Sequence, residues 1–245
     1  MPKSPSKDGD FLVATLQTKT KLTYQENLDE LIAYIKNSSA HLIVAPELML
    51  TNFDYENFEE AAKFYDVSIK QLLTVAPEKI IVLTMTKREN NHFVNQALVL
   101  QKKQIVHQQN KYKLFKLGNE EQYFHAGEKE KVVKFKIDSV NYALLICFEL
   151  RFKELWKQVE GADIVVIPAR WGKPRKKHLE VLSQSLAIMN QTFVVVSNSA
   201  DDDMASSSAI ISPWGDVLMN DEFEVLEKTI DLKEVKRVRR MISML

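Results

Sequence analysis

The sequence of 245 residues has a single cysteine, Cys147, and only six glycines. One cysteine cannot form an internal disulfide, and the N-terminal segment MPKSPSKDGDFLVATLQ lacks the apolar stretch of a secretory signal. These two absences favour a cytoplasmic protein. The glycines form no glycine-rich turn between a strand and a helix, so we expect no phosphate-binding loop.

An excess of charge of one sign is also missing, because Lys plus Arg and Asp plus Glu each total 33. The chain as a whole offers no broad basic surface for nucleic acid, so we expect a small-molecule partner. The basic run KEVKRVRR near the end has the spacing of a solvated helix face. No apolar run approaches the roughly 20 residues of a membrane-spanning helix, so no membrane association is expected.

Metal-binding patterns are absent as well. No two histidines lie four residues apart on a predicted helix, and the only cysteine has no second thiol to pair with. The acidic run Asp201–Asp203 lacks the alternating ligands and the glycine of a calcium loop, so it is predicted to be a solvated turn. We therefore expect neither a metal nor another cofactor.

The hydrophobic pattern predicts an α/β protein. Residues 1–10 are polar and are predicted to be a mobile lead-in, with one domain over residues 11–245. The first strand, FLVATLQ, is followed by a helix, TYQENLDELIAYIKNSS, which opens with the capping box Thr23 and Glu26. This helix leads to a short apolar strand that ends in a proline, HLIVAPELML, and the same order of helix, strand and proline recurs in FKELWKQVEGADIVVIPARWG.

The rest of the chain contains mainly strands. Three are predicted in residues 79–115, two in residues 131–149, one in TFVVVSNS and three in residues 206–232, with a further helix opening at Pro174. Many buried strands with few helices predict two sheets packed face to face with helices outside, which is a four-layer α-β-β-α sandwich.

Cys147 ends the apolar run YALLIC and precedes the polar segment FELRFKEL, so it lies at a predicted strand-to-helix junction. A thiol at this position can be reached by solvent and activated by helix-start N–H groups. Free cysteines are nevertheless among the most buried residues, so an inert core cysteine remains an alternative.

A nucleophilic thiol needs a base and a group that stabilises negative charge. His125 in a loop and His178 on a predicted helix could approach Cys147 in space, although neither is near in sequence. Three other candidates are a glutamate after a proline, a lysine in NKYKLF and a glutamate in GNEEQYFHAGE, which are Glu47, Lys111 and Glu120. Taken singly, each is also typical of a turn or a solvated surface.

The order of three segments indicates a family. HLIVAPELMLTNFDY, NKYKLF with YFHAGE, and LLICFELRF resemble the corresponding segments of the nitrilase or carbon-nitrogen hydrolase superfamily, and the resemblance extends from Phe11 to about Arg240. ARWGKPRKKH with CFELRF is most similar to the omega-amidase-like branch. Relatives commonly have Tyr-Asp where this chain has Phe148 and Glu149.

This resemblance implies roles for individual residues. Cys147 is the implied nucleophile and Glu47 the implied base, while Lys111 and the backbone N–H of Phe148 would stabilise an oxyanion. Glu120 is the implied supporting glutamate, with Glu121 as an alternative one residue away. Lys111 and helix-start N–H groups are expected to favour the thiolate.

The implied reaction is hydrolysis of a small linear amide through a cysteine thioester, with release of ammonia and without a cofactor. N-carbamoyl amino-acid hydrolysis, nitrile hydrolysis and a non-catalytic binding role on the same fold are alternatives. A substrate carboxylate would need a cationic clamp, for which we propose Arg170 and Arg175, with Trp171 beside them. Arg151 is expected to pair with a nearby carboxylate. The family resemblance also implies a homodimer.

Overall fold

The computed structural model describes residues 10–244. The predicted lead-in at residues 1–10 lies outside the described residues, except for Asp10, which begins the first strand. The organisation of residues 11–245 as one domain stays a prediction. Within residues 10–244, no helix combines the length and apolar character needed to cross a bilayer.

Six strands form the first sheet. In spatial order they are β12 (Val225–Asp231), β1 (Asp10–Leu16), β2 (Leu42–Val44), β3 (Ile80–Glu89), β4 (His92–Gln101) and β5 (Gln104–Asn110). β1, β2 and β3 are parallel neighbours, whereas β3, β4 and β5 are joined as antiparallel pairs. β5 therefore runs in the same direction as β2, and both strands end at the same edge of the sheet.

Six strands also form the second sheet. Their order is β11 (Val217–Met219), β10 (Ala209–Ile211), β9 (Phe193–Asn198), β8 (Ile164–Ala169), β7 (Val140–Leu144) and β6 (Phe135–Ile137). β7, β8 and β9 are parallel. The strands predicted in the middle and at the end of the chain are thereby confirmed.

Successive side chains on each strand point to opposite sides of the sheet. One face of each sheet therefore packs against the other sheet, and the opposite face packs against helices. On β1, Val13 belongs to the core between the sheets, whereas Ala14 belongs to the core beneath the outer helices. The outer layers contain α1 (Tyr24–Asn37), α2 (Phe58–Leu72), α3 (Lys153–Gln158), α4 (Lys176–Met189) and α5 (Lys233–Met241). The predicted four-layer sandwich is confirmed.

The capping box of Thr23 and Glu26 is present at the start of α1, as predicted. Two other helices, α4 and α2, differ from the predictions. Pro174 lies in a short 3-10 turn over Lys173–Arg175, so α4 begins later than the predicted opening. α2 has no counterpart among the predicted elements, although its buried side chains recur at helical spacing, as in Ala61, Tyr65 and Ile69.

Candidate active site

The site lies where strand ends of the two sheets meet. The Glu47 N–H, just after β2, donates a hydrogen bond to the Ala169 carbonyl at the end of β8 (3.2 Å). Gln109 near the end of β5 donates through Nε2 to the Leu144 carbonyl at the end of β7 (3.2 Å). These bonds bring together the polar residues that follow β2, β5, β7 and β8.

Cys147 follows β7 in a strained turn. Its φ angle is +50°, in the left-handed region that residues with a β-carbon rarely adopt, and it begins a short 3-10 helix, Cys147–Arg151. Such backbone strain clusters at active sites, where the fold holds a side chain in a required position. The Arg170 N–H lies 3.5 Å from the sulfur and donates to it.

The surroundings of the thiol favour its neutral form. Burial raises the pKa of Cys147 well above its ordinary value, the Glu47 carboxylate raises it further, and Lys111 offsets only part of this effect. The predicted effect of Lys111 on the thiol is thus present, but burial and the carboxylate charge outweigh this one ammonium group. The contribution of the helix-start N–H groups stays a prediction.

Lys111 is the centre of a buried ion cluster. Its Nζ lies 2.8 Å from Glu47 Oε1 and 2.7 Å from Glu120 Oε1, and its side chain has no exposed surface. Burial alone would lower the pKa of Lys111, but the charges of Glu47 and Glu120 reverse this effect and raise it above its ordinary value. The lysine is therefore a permanent cation between two carboxylates.

The two carboxylates have different surroundings. Glu47 Oε1 also accepts a hydrogen bond from Asn95 Nδ2 (2.8 Å), whereas Glu47 Oε2 is buried without a hydrogen-bond partner among the described residues. Glu120 Oε2 accepts from the Phe115 N–H at 2.9 Å. Glu47 thus has a free oxygen, while both oxygens of Glu120 are bonded.

The geometry distinguishes Glu120 from Glu121 as the partner of Lys111. Glu120 is 3% exposed and contacts Lys111, whereas Glu121 is exposed to solvent. Burial raises the pKa of Glu120, and Lys111 counteracts part of that effect. The structure therefore brings Glu120, rather than Glu121, to the lysine.

Glu149, which sequence reasoning noted only as an unusual neighbour, connects two parts of the site. Its side chain is fully buried, with Oε1 accepting from the Tyr112 N–H (2.6 Å) and Oε2 from the Ile146 N–H (2.7 Å). These bonds join the backbone beside Lys111 to the backbone before Cys147. Burial raises the pKa of Glu149 to about 7, although the backbone N–H groups favour its ionised form.

Gly127, in the AGE segment, is a second residue whose role the sequence pattern did not reveal. Its N–H donates to the Lys111 carbonyl at 2.8 Å. A β-carbon at this position would lie only 2.4 Å from the Asn110 carbonyl oxygen, so the close approach of the two backbones requires glycine.

A narrow cleft, here called the thiol pocket, opens above Cys147. It is bordered by the thiol, two aromatic rings, an indole and three arginines: Phe115, Cys147, Phe148, Arg151, Arg170, Trp171 and Arg175. The Phe148 ring packs against Phe115 with a centroid distance of 5.0 Å. The oxyanion role of the Phe148 N–H stays a prediction.

Arg170 borders the thiol pocket, but its guanidinium group is already bonded. Its Nη2 forms an ion pair with Asp201 and donates to Thr20 Oγ1 at 2.9 Å, and its side chain is 6% exposed. Asp201 is thus half-buried and paired, so the predicted solvated turn does not describe this residue. The part of Arg170 that contacts the sulfur is its backbone N–H.

Arg151 enters the site instead of pairing with a carboxylate, which corrects the expectation for it. Its guanidinium carbon lies 4.7 Å from the centroid of the Trp171 ring, and its Nη2 donates to His178 Nδ1 at 2.8 Å. Arg175 lies over the Phe115 ring at 5.0 Å. Two guanidinium groups therefore stack on aromatic rings at the rim of the thiol pocket.

The two histidine candidates lie elsewhere. The exposed His125 stacks on His92 with a centroid distance of 4.8 Å, and His178 contacts Arg151. Neither borders the thiol pocket. Across residues 10–244, no group of three or more His, Cys, Asp or Glu side chains is arranged to hold a metal ion. The geometry thus places a carboxylate and a lysine, and no histidine, around the thiol.

Comparison with known proteins agrees with this geometry. The family model of carbon-nitrogen hydrolases matches residues 12–240. The chain belongs to the carbon-nitrogen hydrolase family. This carbon-nitrogen hydrolase is 32% identical to the 2-oxoglutaramate amidase of Bacillus subtilis, over 89% of each chain. It is 23% identical to Omega-amidase YafV of Escherichia coli strain K12, over 83% of this chain and 77% of that protein.

The fold has close counterparts among solved structures. Nit3 of Saccharomyces cerevisiae, a member of branch 10 of the nitrilase superfamily, superposes with a TM-score of 0.84 at 18% identity, covering 96% of this chain and 95% of that chain. The predicted superfamily and its sandwich fold are therefore confirmed.

Replacing Lys111 tests the ion cluster. We expect Lys111→Met to lower the free energy of unfolding by about 3–5 kcal/mol, because two buried carboxylates lose their cation. Urea denaturation at neutral pH measures the change, and Lys113→Met, which removes a partly exposed lysine of the same segment, is the matched control. Adding Glu120→Gln to Lys111→Met should recover part of the loss. Equal stability of the Lys111 and Lys113 variants would contradict the cluster's importance.

The raised pKa of Glu149 predicts a pH dependence of stability. Because folding moves this pKa from 4.5 to about 7, the native state binds more protons than the unfolded state between these values. The contribution of Glu149 to stability is therefore greatest at low pH and is lost as pH rises through 7.

Urea denaturation between pH 5 and pH 8 measures this effect. Wild type should lose unfolding free energy relative to Glu149→Gln as pH rises, since glutamine does not ionise. Glu121→Gln, on the exposed neighbour of Glu120, should show no such divergence from wild type. A constant difference between wild type and Glu149→Gln across this range would disprove the titration.

Proposed function

We propose that this carbon-nitrogen hydrolase cleaves the terminal amide of a small linear carboxylated substrate and releases ammonia. The observation that carries this proposal is a buried thiol in a strained turn, beside an ion cluster of Glu47, Lys111 and Glu120. The names of the relatives, 2-oxoglutaramate amidase and Omega-amidase, support a substrate of this kind.

The first step uses the free oxygen of Glu47. Because Oε1 is bonded to Lys111 and Asn95, Oε2 is the oxygen available to accept the thiol proton. The Cys147 sulfur then forms a bond to the amide carbon, and the carbonyl electron pair moves to oxygen. Lys111 and the Phe148 N–H stabilise this oxyanion, and loss of one such donor typically costs about 3 kcal/mol.

The second step divides the substrate. Glu47 returns its proton to the amide nitrogen, the carbon–nitrogen bond breaks, and ammonia leaves a thioester on Cys147. A water molecule then transfers a proton to Glu47 and attacks the thioester carbon, which releases the carboxylic acid and restores the thiol. Glu120 keeps Lys111 in place throughout, since it holds the ammonium group at 2.7 Å.

The far end of the substrate requires positive charge if it is a carboxylate. Arg151 and Arg175 border the thiol pocket and stack on aromatic rings, so their N–H groups are oriented while the charge faces the cleft rim. Arg170 is also predicted from the sequence as part of the clamp, but its guanidinium is bonded to Asp201. We therefore assign the clamp to Arg151 and Arg175, with Arg170 as a structural support.

Ammonia release from a panel of substrates tests this function. We expect turnover of 2-oxoglutaramate and glutaramate, and none of either by Cys147→Ala. Preferred turnover of N-carbamoyl amino acids or simple nitriles would replace the proposal with one of those activities. No turnover of any panel member, with no thioester trapped, would favour a non-catalytic binding protein.

The carboxylate clamp has its own prediction. Arg175→Ala should raise KM for a carboxylated amide by about tenfold or more, since a hydrogen bond to a charged group contributes about 1.5–3 kcal/mol. The exposed Lys177→Ala is the matched control, because it removes a neighbouring cation without changing the pocket. If the uncharged amide propionamide lost as much kcat/KM as the carboxylated amide, Arg175 would not be a carboxylate ligand.

We also propose a homodimer that pairs the exposed faces of α4 and of the end of α5. Val181, Ile188, Met189, Met241 and Ile242 are 44–66% exposed. The Gln191 side chain donates to the Ile242 carbonyl (2.6 Å), so the ends of the two helices adjoin. An exposed apolar patch of this kind is typical of an interaction surface. A cytoplasmic location stays a prediction from the sequence.

Light scattering during gel filtration tests the dimer. We expect wild type to elute with the mass of two chains and Ile188→Glu with the mass of one. Lys177→Glu, an exposed change on the same helix, should remain dimeric. A dimeric Ile188→Glu variant would exclude this surface.

A further inference from the structure

Trp171 has a polar group that the structure leaves unused. The side chain is 3% exposed, and its Nε1 is buried without a hydrogen-bond partner among residues 10–244. The other tryptophans differ, since Trp156 Nε1 donates to the Leu150 carbonyl at 2.8 Å and Trp214 is 40% exposed. A buried donor without a partner is costly, so an unpaired one at a pocket indicates a missing ligand atom.

The backbone of Trp171 is held firmly. Its N–H donates to Asn198 Oδ1 at 2.7 Å, and Asn198 Nδ2 donates to the Trp171 carbonyl at 3.3 Å. The preceding N–H, that of Arg170, contacts the Cys147 sulfur. Trp171 is therefore held next to the peptide group that contacts Cys147, and it is one of the residues that border the thiol pocket.

The indole lies at the cationic end of the pocket. The Arg151 guanidinium stacks over its ring at 4.7 Å, and Arg175 borders the same pocket. A substrate carboxylate bound by these arginines would bring its neighbouring carbon to the part of the pocket that Trp171 borders. An oxygen on that carbon can accept the free N–H, whereas an ammonium group there is a donor and is repelled by both arginines.

We propose that the Trp171 indole N–H donates a hydrogen bond to an oxygen on the carbon next to the substrate carboxylate, and so selects 2-oxo acid amides over their unsubstituted and 2-amino counterparts. This inference rests on the proposed function, because it assumes a carboxylated amide with its reacting end at Cys147. It assigns to Trp171 a role in specificity that the arginines alone do not supply.

Trp171→Phe tests the hydrogen bond, because it keeps an aromatic ring beneath Arg151 and removes the N–H. The ratio of kcat/KM for 2-oxoglutaramate to that for glutaramate should fall about tenfold or more, as expected for a lost hydrogen bond in a buried site. Wild type should prefer 2-oxoglutaramate to glutaramate, and glutaramate to glutamine. Trp214→Phe, the same substitution at an exposed tryptophan, should leave the ratio at its wild-type value.

A binding measurement on wild type makes the result independent of catalysis and of the variant's folding. In ¹⁵N-labelled protein, the Trp171 indole N–H resonance should shift downfield with 2-oxoglutarate and much less with glutarate. The resonance is assigned by its loss in Trp171→Phe or, if that variant does not fold, by elimination with Trp156→Phe and Trp214→Phe.

The outcomes separate this inference from the proposed function. An unchanged substrate ratio in Trp171→Phe, or an indole resonance that shifts equally with both acids or with neither, overturns the role of Trp171. Failure of wild type to hydrolyse either amide overturns the proposed function, and the resonance then decides the inference alone. Hydrolysis of both amides with an unresponsive indole leaves the function standing and removes the inference.

Discussion

The candidate active site depends on one buried cation. Lys111 contacts Glu47 and Glu120 in a region that water does not reach, so the two carboxylates are tolerated only because the lysine is present. Removing the lysine would leave two buried carboxylates without a cation. The same arrangement is chemically useful, since it offers one carboxylate oxygen without a partner among the described residues, near a thiol whose pKa is raised by burial and by the Glu47 carboxylate. The requirement for a base and the means of holding that base in place therefore have one structural origin.

The sandwich fold makes this cluster possible. Glu47 follows β2 and Lys111 follows β5 in one sheet, whereas Cys147 follows β7 in the other. Parallel strands expose polar residues at their carboxyl ends, and face-to-face packing brings the ends from both sheets together. Glu149 then connects the two sides, because its carboxylate accepts hydrogen bonds from the backbone after β5 and from the backbone before Cys147.

The thiol pocket separates two kinds of arginine. Arg170 is paired with Asp201 and stabilises the loop that presents its N–H to the sulfur, whereas Arg151 and Arg175 lie on aromatic rings without an ion pair among the described residues. All three arginines border the same cleft and carry the same charge. They differ in whether the guanidinium group is already bonded to a carboxylate of the protein. Beside them, the unpaired indole N–H of Trp171 provides a directional contact within a field that is otherwise only cationic.

Much of this protein could be predicted from sequence because local pattern determines local structure. Alternating and helical hydrophobic spacing identified the strands, α1 and the sandwich, and ordered motifs identified the family together with Glu47, Lys111, Glu120 and Cys147. α2 was missed although its spacing was readable. Three features depended on the tertiary structure: the pairing of Arg170 with Asp201, the stacking of Arg151 on Trp171, and the raised pKa of Cys147. Each results from burial and from charges distant in sequence, so only the packing of the two sheets could decide them.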